Sequence, residues 1–194
     1  MILHFVHSDD PKTGGVLEAA RMLSAELNEQ GVESKLCFDK KIKETNHFLS
    51  IAHGLWQWPS LLASTLYRNK KIPYLIFPHG MLDPWFRKSY PLKHIKKQAY
   101  WWLRQGKILS HARTVCFTTE EERRLAKKTF WPYHCVEQVT GIGIHNPPSL
   151  RPEEELLYKK FPHLKGKKTL LFLGRIHPKK GLDMLIKSFS AMRS

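Results

Sequence analysis

Short apolar runs alternate along this chain with stretches in which apolar residues recur at helical spacing. Ile2 to Val6 is a compact apolar run, and Val16, Ala19, Ala20, Leu23 and Leu27 then line one helical face. Val32 to Phe38, Phe48 to Ala52, Tyr74 to Phe77, Val115 to Thr118 and Cys135 to Thr140 each read as strands. Helical patterns fall between them, around Ser60 to Arg68, Leu92 to Leu103 and Thr119 to Lys128. Strands separated by helices need crossover connections, which build a parallel sheet covered on both faces. Residues 1–145 are therefore expected to form an α/β, Rossmann-like, doubly wound parallel sheet. The Gly- and Pro-rich segment Gly141 to Pro152 reads as the start of a linker, with a short helix over Glu153 to Phe161. Thr169 to Leu173 then predicts a new strand, and Leu182, Leu185, Ile186 and Phe189 a helix behind it. The expected division is a domain over 1–145, a connection over 146–165 and the start of a second domain over 166–194.

Charge changes the picture more than composition does. The 194 residues carry 32 Lys and Arg against 17 Asp and Glu, a formal net charge of +15. This balance favours anionic partners such as phosphorylated ligands, an anionic membrane surface or nucleic acid. No helix-turn-helix, zinc-finger or RNA-binding signature accompanies it, so no specific nucleic-acid partner is expected. Between Asp83 and Glu120 the chain has no acidic residue, while Lys93, Lys96, Lys97, Arg104 and Lys107 gather on one side of a helix. Leu92, Ile95, Ala99, Trp102 and Leu103 share the other side, with Tyr100 and Trp101 at the boundary. Residues 91–107 thus suit an anionic membrane surface, and equally a core-packed helix with a solvated basic face. No apolar run is long enough to span a bilayer. The first residues lack a signal peptide's basic start and cleavage site, so the expected location is cytoplasmic, peripheral at the inner membrane face. Cys37, Cys116 and Cys135 are scattered through strand-like runs without metal-ligand spacing, and read as small core residues.

Three segments could carry chemistry. The turn from His7 to Val16 leaves a strand and opens a helix, and its Gly14 and Gly15 would let a phosphate approach the helix N-terminus, or simply make the turn. Pro78 to Trp85, PHGMLDPW, follows a strand and offers His79 as a hydrogen-bonding group beside a permissive glycine. A similar HGLW, His53 to Trp56, follows the preceding strand, and Trp56, Trp58 and Trp85 could serve as platforms for sugar rings or as packing residues. Near the end, FLGRIHPKKG sets Arg175 after a strand and Lys180 before a helix, a pairing that suits a diphosphate and also a plain basic turn.

In this order, these segments resemble glycosyltransferase family 4, the retaining group 1 transferases with two Rossmann-like domains, the GT-B fold. LLFLGRIHPKKGLDMLIKSF looks like the signature that opens the family's second domain, and TGGVLEAARMLSAELNEQG resembles its Gly-Gly loop and first helix. HGLWQWPS and PHGMLDPWF resemble segments of members that build bacterial cell-surface polysaccharides. The resemblance implies an acceptor-side domain over 1–145 and the beginning of a nucleotide-sugar-binding domain over 166–194. It implies a nucleotide-diphosphate sugar as donor, a saccharide or lipid-linked acceptor, hexosyl transfer with retention, no cofactor and no metal.

By the same resemblance Arg175 and Lys180 would neutralise the departing diphosphate, His79 would hydrogen-bond the transferred sugar, and Gly14 and Gly15 would approach the donor phosphates or the acceptor. His53, Trp56, Asp83 and Trp85 would lie on the acceptor side. The family's paired glutamates would fall beyond Ser194, and Thr140 to Gly143 stands where members often show Pro-Asn-Gly. The expectation is a fragment that is inactive without a C-terminal half. A non-catalytic module that binds a membrane or a partner is the alternative.

Overall fold

The computed structural model describes residues 1–10, 14–42, 46–143 and 154–192. The chain divides into two compact units, Met1–His145 and Asn146–Ser194.

Six strands form the sheet of the first unit: β1 (Ile2–Phe5), β2 (Ser34–Cys37), β3 (Leu49–His53), β4 (Tyr74–Phe77), β5 (Thr114–Phe117) and β6 (Glu137–Val139). Every pairing is parallel and the order is β2-β1-β3-β4-β5-β6. The Rossmann-like α/β sheet expected from the apolar runs is therefore present. The connection from β1 runs outward to β2 and then back across to β3, which opens a crevice at the carboxyl ends of β1 and β3.

Alternation along the strands divides the core. Leu3, Phe5, Ala52, Tyr74, Ile76, Val115 and Phe117 face one side, where helix α2 (Trp58–Lys70) contributes Ala63 and Leu66. Ile2, Ile51, Phe77 and Cys116 face the other, against Leu23 and Leu27 of helix α1 (Gly15–Glu29). All three cysteines are free thiols.

Helices α3 (Trp85–Ser89) and α4 (Pro91–Tyr100) follow β4, then a π-turn over Trp101–Gln105 and helix α5 (Gly106–His111). This corrects the expected amphipathic helix over Leu92 to Leu103. Gly106 N–H donates to Trp101 O, five residues back, so one extra residue enters the turn. Trp101 swings inward to 1% exposure, whereas Leu92 (77%), Ile95 (64%), Trp102 (55%) and Leu103 (79%) face solvent. The inward ring stacks on Phe130 at 5.0 Å, and its Nε1–H donates to Pro132 O at 2.7 Å. The bulge leaves little room beyond glycine: a Cβ on Gly106 would lie 3.0 Å from both Trp101 O and Trp101 Nε1, so the turn would have to give by a few tenths of an ångström. Helix α6 (Glu120–Ala126) starts on Thr119, whose Oγ1 accepts from Glu122 N–H.

In the second unit, helix α7 (Glu154–Lys160), a 3-10 turn at Pro162–Leu164, a second at Pro178–Lys180 and helix α8 (Leu182–Ala191) are joined by extended chain. The strand expected over Thr169 to Leu173 is absent. A strand must satisfy its N–H and C=O groups on a neighbour, and the described residues of this unit contain no second strand. None of them is buried, and Leu170, Leu171, Leu173, Ile176 and Phe189 stand exposed. Residues 144–153, which include the first part of the expected connection over 146–165, lie outside the described residues.

Candidate functional site

Parallel register and a period of two bring three histidines into a line. His4 of β1 sits across from Ile51 of β3, and His53 is two residues further along the same face. His53 in turn sits across from Phe77 of β4, and His79 follows two residues later. Each ring is thus one step nearer the carboxyl edge than the last. His4 Nδ1 lies 3.0 Å from His53 Nε2, and His53 Nδ1 lies 3.0 Å from His79 Nε2. The rings lie edge to edge and nearly coplanar, at 18° and 23°, with centroids 5.3 Å apart at each step. They are joined in series rather than converging on one point. Among the described residues, no group of three or more His, Cys, Asp or Glu side chains is arranged to hold a metal ion.

Burial keeps this line neutral. It pulls His4 down to about 4 from an ordinary 6.5. It pulls His79 down to about 4 as well, against the opposing attraction of the Glu122 carboxylate. His53 is held well below the usual range by burial first and then by its two histidine neighbours. All three are therefore uncharged near neutrality.

The outermost ring is held in an unusual backbone conformation. His79 has φ 51° and Gly80 φ 74°. A non-glycine residue there costs on the order of 1 kcal/mol and persists only where the surroundings enforce it. Glu122 supplies the enforcement: Oε1 accepts from Gly80 N–H at 2.7 Å, and Oε2 accepts from Thr118 N–H at 2.8 Å and Thr118 Oγ1–H at 2.7 Å. A residue of α6 thereby fixes the loop after β4.

His79 opens onto a cavity of about 280 Å³. Met22, Leu23 and Glu26 of α1 form one wall, His53, Phe77 and His79 the floor, and Thr140 to Gly143 the far side. The mix is mostly apolar with a few polar groups, as small-ligand sites are. A larger open groove of about 840 Å³ runs along α4, lined by Arg87, Trp102, Lys127, Lys128 and Trp131 among others. His4, His53 and His79 are not among its lining residues.

Residues 47–139 match the family model described as "Glycosyl transferase 4-like domain". This stretch carries a glycosyl transferase 4-like domain. It runs from just before β3 to the end of β6, and so includes His53, His79 and Glu122 but not α1 or the second unit. General glycosyl transfer is the activity that a domain of this class indicates. No curated protein matches the chain in sequence.

The other expected site residues are placed as follows. Gly14 caps α1 with φ 91°, and a Cβ on Gly14 or Gly15 would meet no described residue within 4 Å. His53 is buried at the cavity floor, with Nε2 3.0 Å from His4 and Nδ1 3.0 Å from His79. The Trp56 ring packs on Phe130 at 5.0 Å and on Trp101 at 6.2 Å, with Lys97 Nζ 4.7 Å above it, and it does not line the histidine cavity. Asp83 Oδ1 accepts from Trp85 N–H at 2.8 Å and so starts α3, while the Trp85 ring meets Phe86 and Tyr90 edge-on. Arg175 and Lys180 are exposed in the second unit and make no side-chain hydrogen bond or ion pair among the described residues. His4, Glu26 and Glu122 were not expected from sequence, although the register of β1 on β3 could have pointed to His4; Thr140 to Gly143 was singled out only as a departure from the family pattern.

Proposed function

We propose that this chain serves a retaining glycosyltransferase that moves a hexosyl unit from a nucleotide-diphosphate sugar to a saccharide or lipid-linked acceptor, in cell-surface polysaccharide synthesis. The observation that carries this reading is the cavity at the carboxyl edge of β3, β4 and β6, with His79 held at its floor within a glycosyl transferase 4-like domain. Phe77 and Ile142 offer apolar surface to the C–H face of a sugar ring. The Glu26 carboxylate accepts from a hydroxyl, and neutral His79 bonds a second oxygen of the transferred sugar.

In this reading the start of α1 at Gly14 and Gly15 takes donor phosphate or acceptor. Arg175 and Lys180 neutralise the diphosphate as it departs from an oxocarbenium-like centre, where charge develops in the transition state. Asp83 and Trp85 shape the acceptor side. No cofactor is invoked beyond the nucleotide sugar itself. The experiment is transfer from labelled nucleotide sugars by the enzyme that contains this chain. Arg175→Ala with Lys180→Ala should cut kcat by about 10²-fold or more. Unchanged turnover would remove the clamp from the mechanism.

A second reading, binding at an anionic membrane surface, rests on α4 and the π-turn. Leu92, Ile95, Trp102 and Leu103 are exposed beside Lys93, Lys96 and Arg104, and no described helix is long and apolar enough to cross a membrane. Exposed apolar and aromatic residues among cations suit the cytoplasmic leaflet. The two readings are compatible, since a lipid-linked acceptor is met at that surface.

A further inference from the structure

Three neutral imidazoles carry three N–H groups. Two of them fill the links from His4 to His53 and from His53 to His79, because each 3.0 Å contact needs one proton between its nitrogens. The third must sit at one end of the line. The two ends differ sharply. His4 Nε2 is buried and has no hydrogen-bond partner among the described residues. His79 lines the cavity, and its Nδ1 makes no hydrogen bond to a described residue.

A proton on His4 Nε2 would be a buried donor with nothing to receive it, and such groups are rarer in proteins than underused acceptors. With the inner end left as a bare lone pair, the direction of the whole line follows. His4 Nδ1–H donates to His53 Nε2, His53 Nδ1–H donates to His79 Nε2, and the proton of His79 is left on Nδ1.

We propose that His4 and His53 are positioning residues that fix the tautomer of His79, so that it presents Nδ1–H as a neutral donor to a hydroxyl or ring oxygen of a saccharide in the cavity. Glu122 completes the device by holding the loop that carries the ring. Two complementary polar groups then face the ligand, a donor on His79 and an acceptor on Glu26. That pair suits a polyol, and the Glu26 carboxylate disfavours an anion in the same place. The ligand class rests on the glycosyl-transfer reading above, whereas the proton arrangement does not.

The test is long-range 1H–15N correlation spectroscopy of the full chain, labelled at histidine nitrogen, near pH 7. The expected result is His4, His53 and His79 each protonated on Nδ1 and bare on Nε2. Nε2–H at His79, or an even mixture of the two forms, would overturn the proposal. Because this readout needs no ligand, it can fail or succeed independently of the saccharide reading. His53→Phe keeps an aromatic ring in place and should release His79 to a mixture of tautomers. His53→Gln, which can still donate to His79 Nε2, should restore Nδ1–H, an outcome that a merely packing role would not produce. His4→Phe serves as the second variant where His53→Phe fails to fold. With uridine diphosphate glucose as probe, His53→Phe should weaken binding about tenfold and His53→Gln should recover it. Equal binding by His53→Phe and wild type would leave the tautomer without a role and refute the functional half of the proposal.

Discussion

Mild acid is expected to destabilise the first unit before most of its carboxylates titrate. The perturbation is a fall from pH 7 to pH 5. In the unfolded chain His4 takes a proton near 6.5, but burial holds it at about 4 in the folded state. A depressed folded value means stability that is complete above 6.5 and is lost as the pH falls towards 4. By pH 5 the loss from His4 alone is about 2 kcal/mol. His79 has the same folded value and adds a similar amount, and His53 shifts in the same direction. General repulsion in a chain of net charge +15 also grows in acid, so the informative quantity is a difference between proteins. All six tryptophans lie in the first unit, and their emission during urea unfolding reports on it alone. Wild type should lose about 2 kcal/mol more than His4→Phe between pH 7 and pH 5. Parallel pH profiles for the two would refute the claim that the buried ring is held neutral by folding.

The π-turn makes a contrast that a regular helix would not. Trp101→Ala should cost about 3–5 kcal/mol of stability, while Leu103→Ala should stay within about 0.5 kcal/mol, both read from urea midpoints. Gly106→Ala should cost about 1–3 kcal/mol, because its Cβ would press on the Trp101 carbonyl; a neutral result would mean that the turn relaxes to an ordinary helix without loss. Flotation with vesicles containing anionic lipid should recover the chain at low salt and lose it at high salt, and the triple change Leu92→Ser, Ile95→Ser and Leu103→Ser should abolish binding without lowering Tm.

Much of the first unit was legible in sequence because its strands are nearly continuous apolar runs, and a buried parallel sheet asks for little else. The helix after β4 was misread at one point. Periodicity placed Trp101 at the polar boundary, but one extra residue in the turn carried it into the core, and only Gly106 hints at this in the sequence. Leu170 to Leu173 has the composition of a strand but no partner among the described residues of its unit, and pattern alone does not reveal whether a neighbour exists. His53 and His79 were found from their HG motifs. Their connection through His4 needed the register of β1 on β3, which no local motif carries. The packing partners of Trp56, Trp101 and Phe130, are far away in the chain, so local sequence did not show them.

The most direct test of the cavity as a saccharide site is an amide 1H–15N titration of the chain with a panel of nucleotide-diphosphate sugars and simple saccharides. Saturable shifts at Leu23, Gly141 and Gly143 that vanish in His79→Ala are the expected result. Shifts that avoid these residues for every probe, or that persist unchanged in His79→Ala, would contradict it.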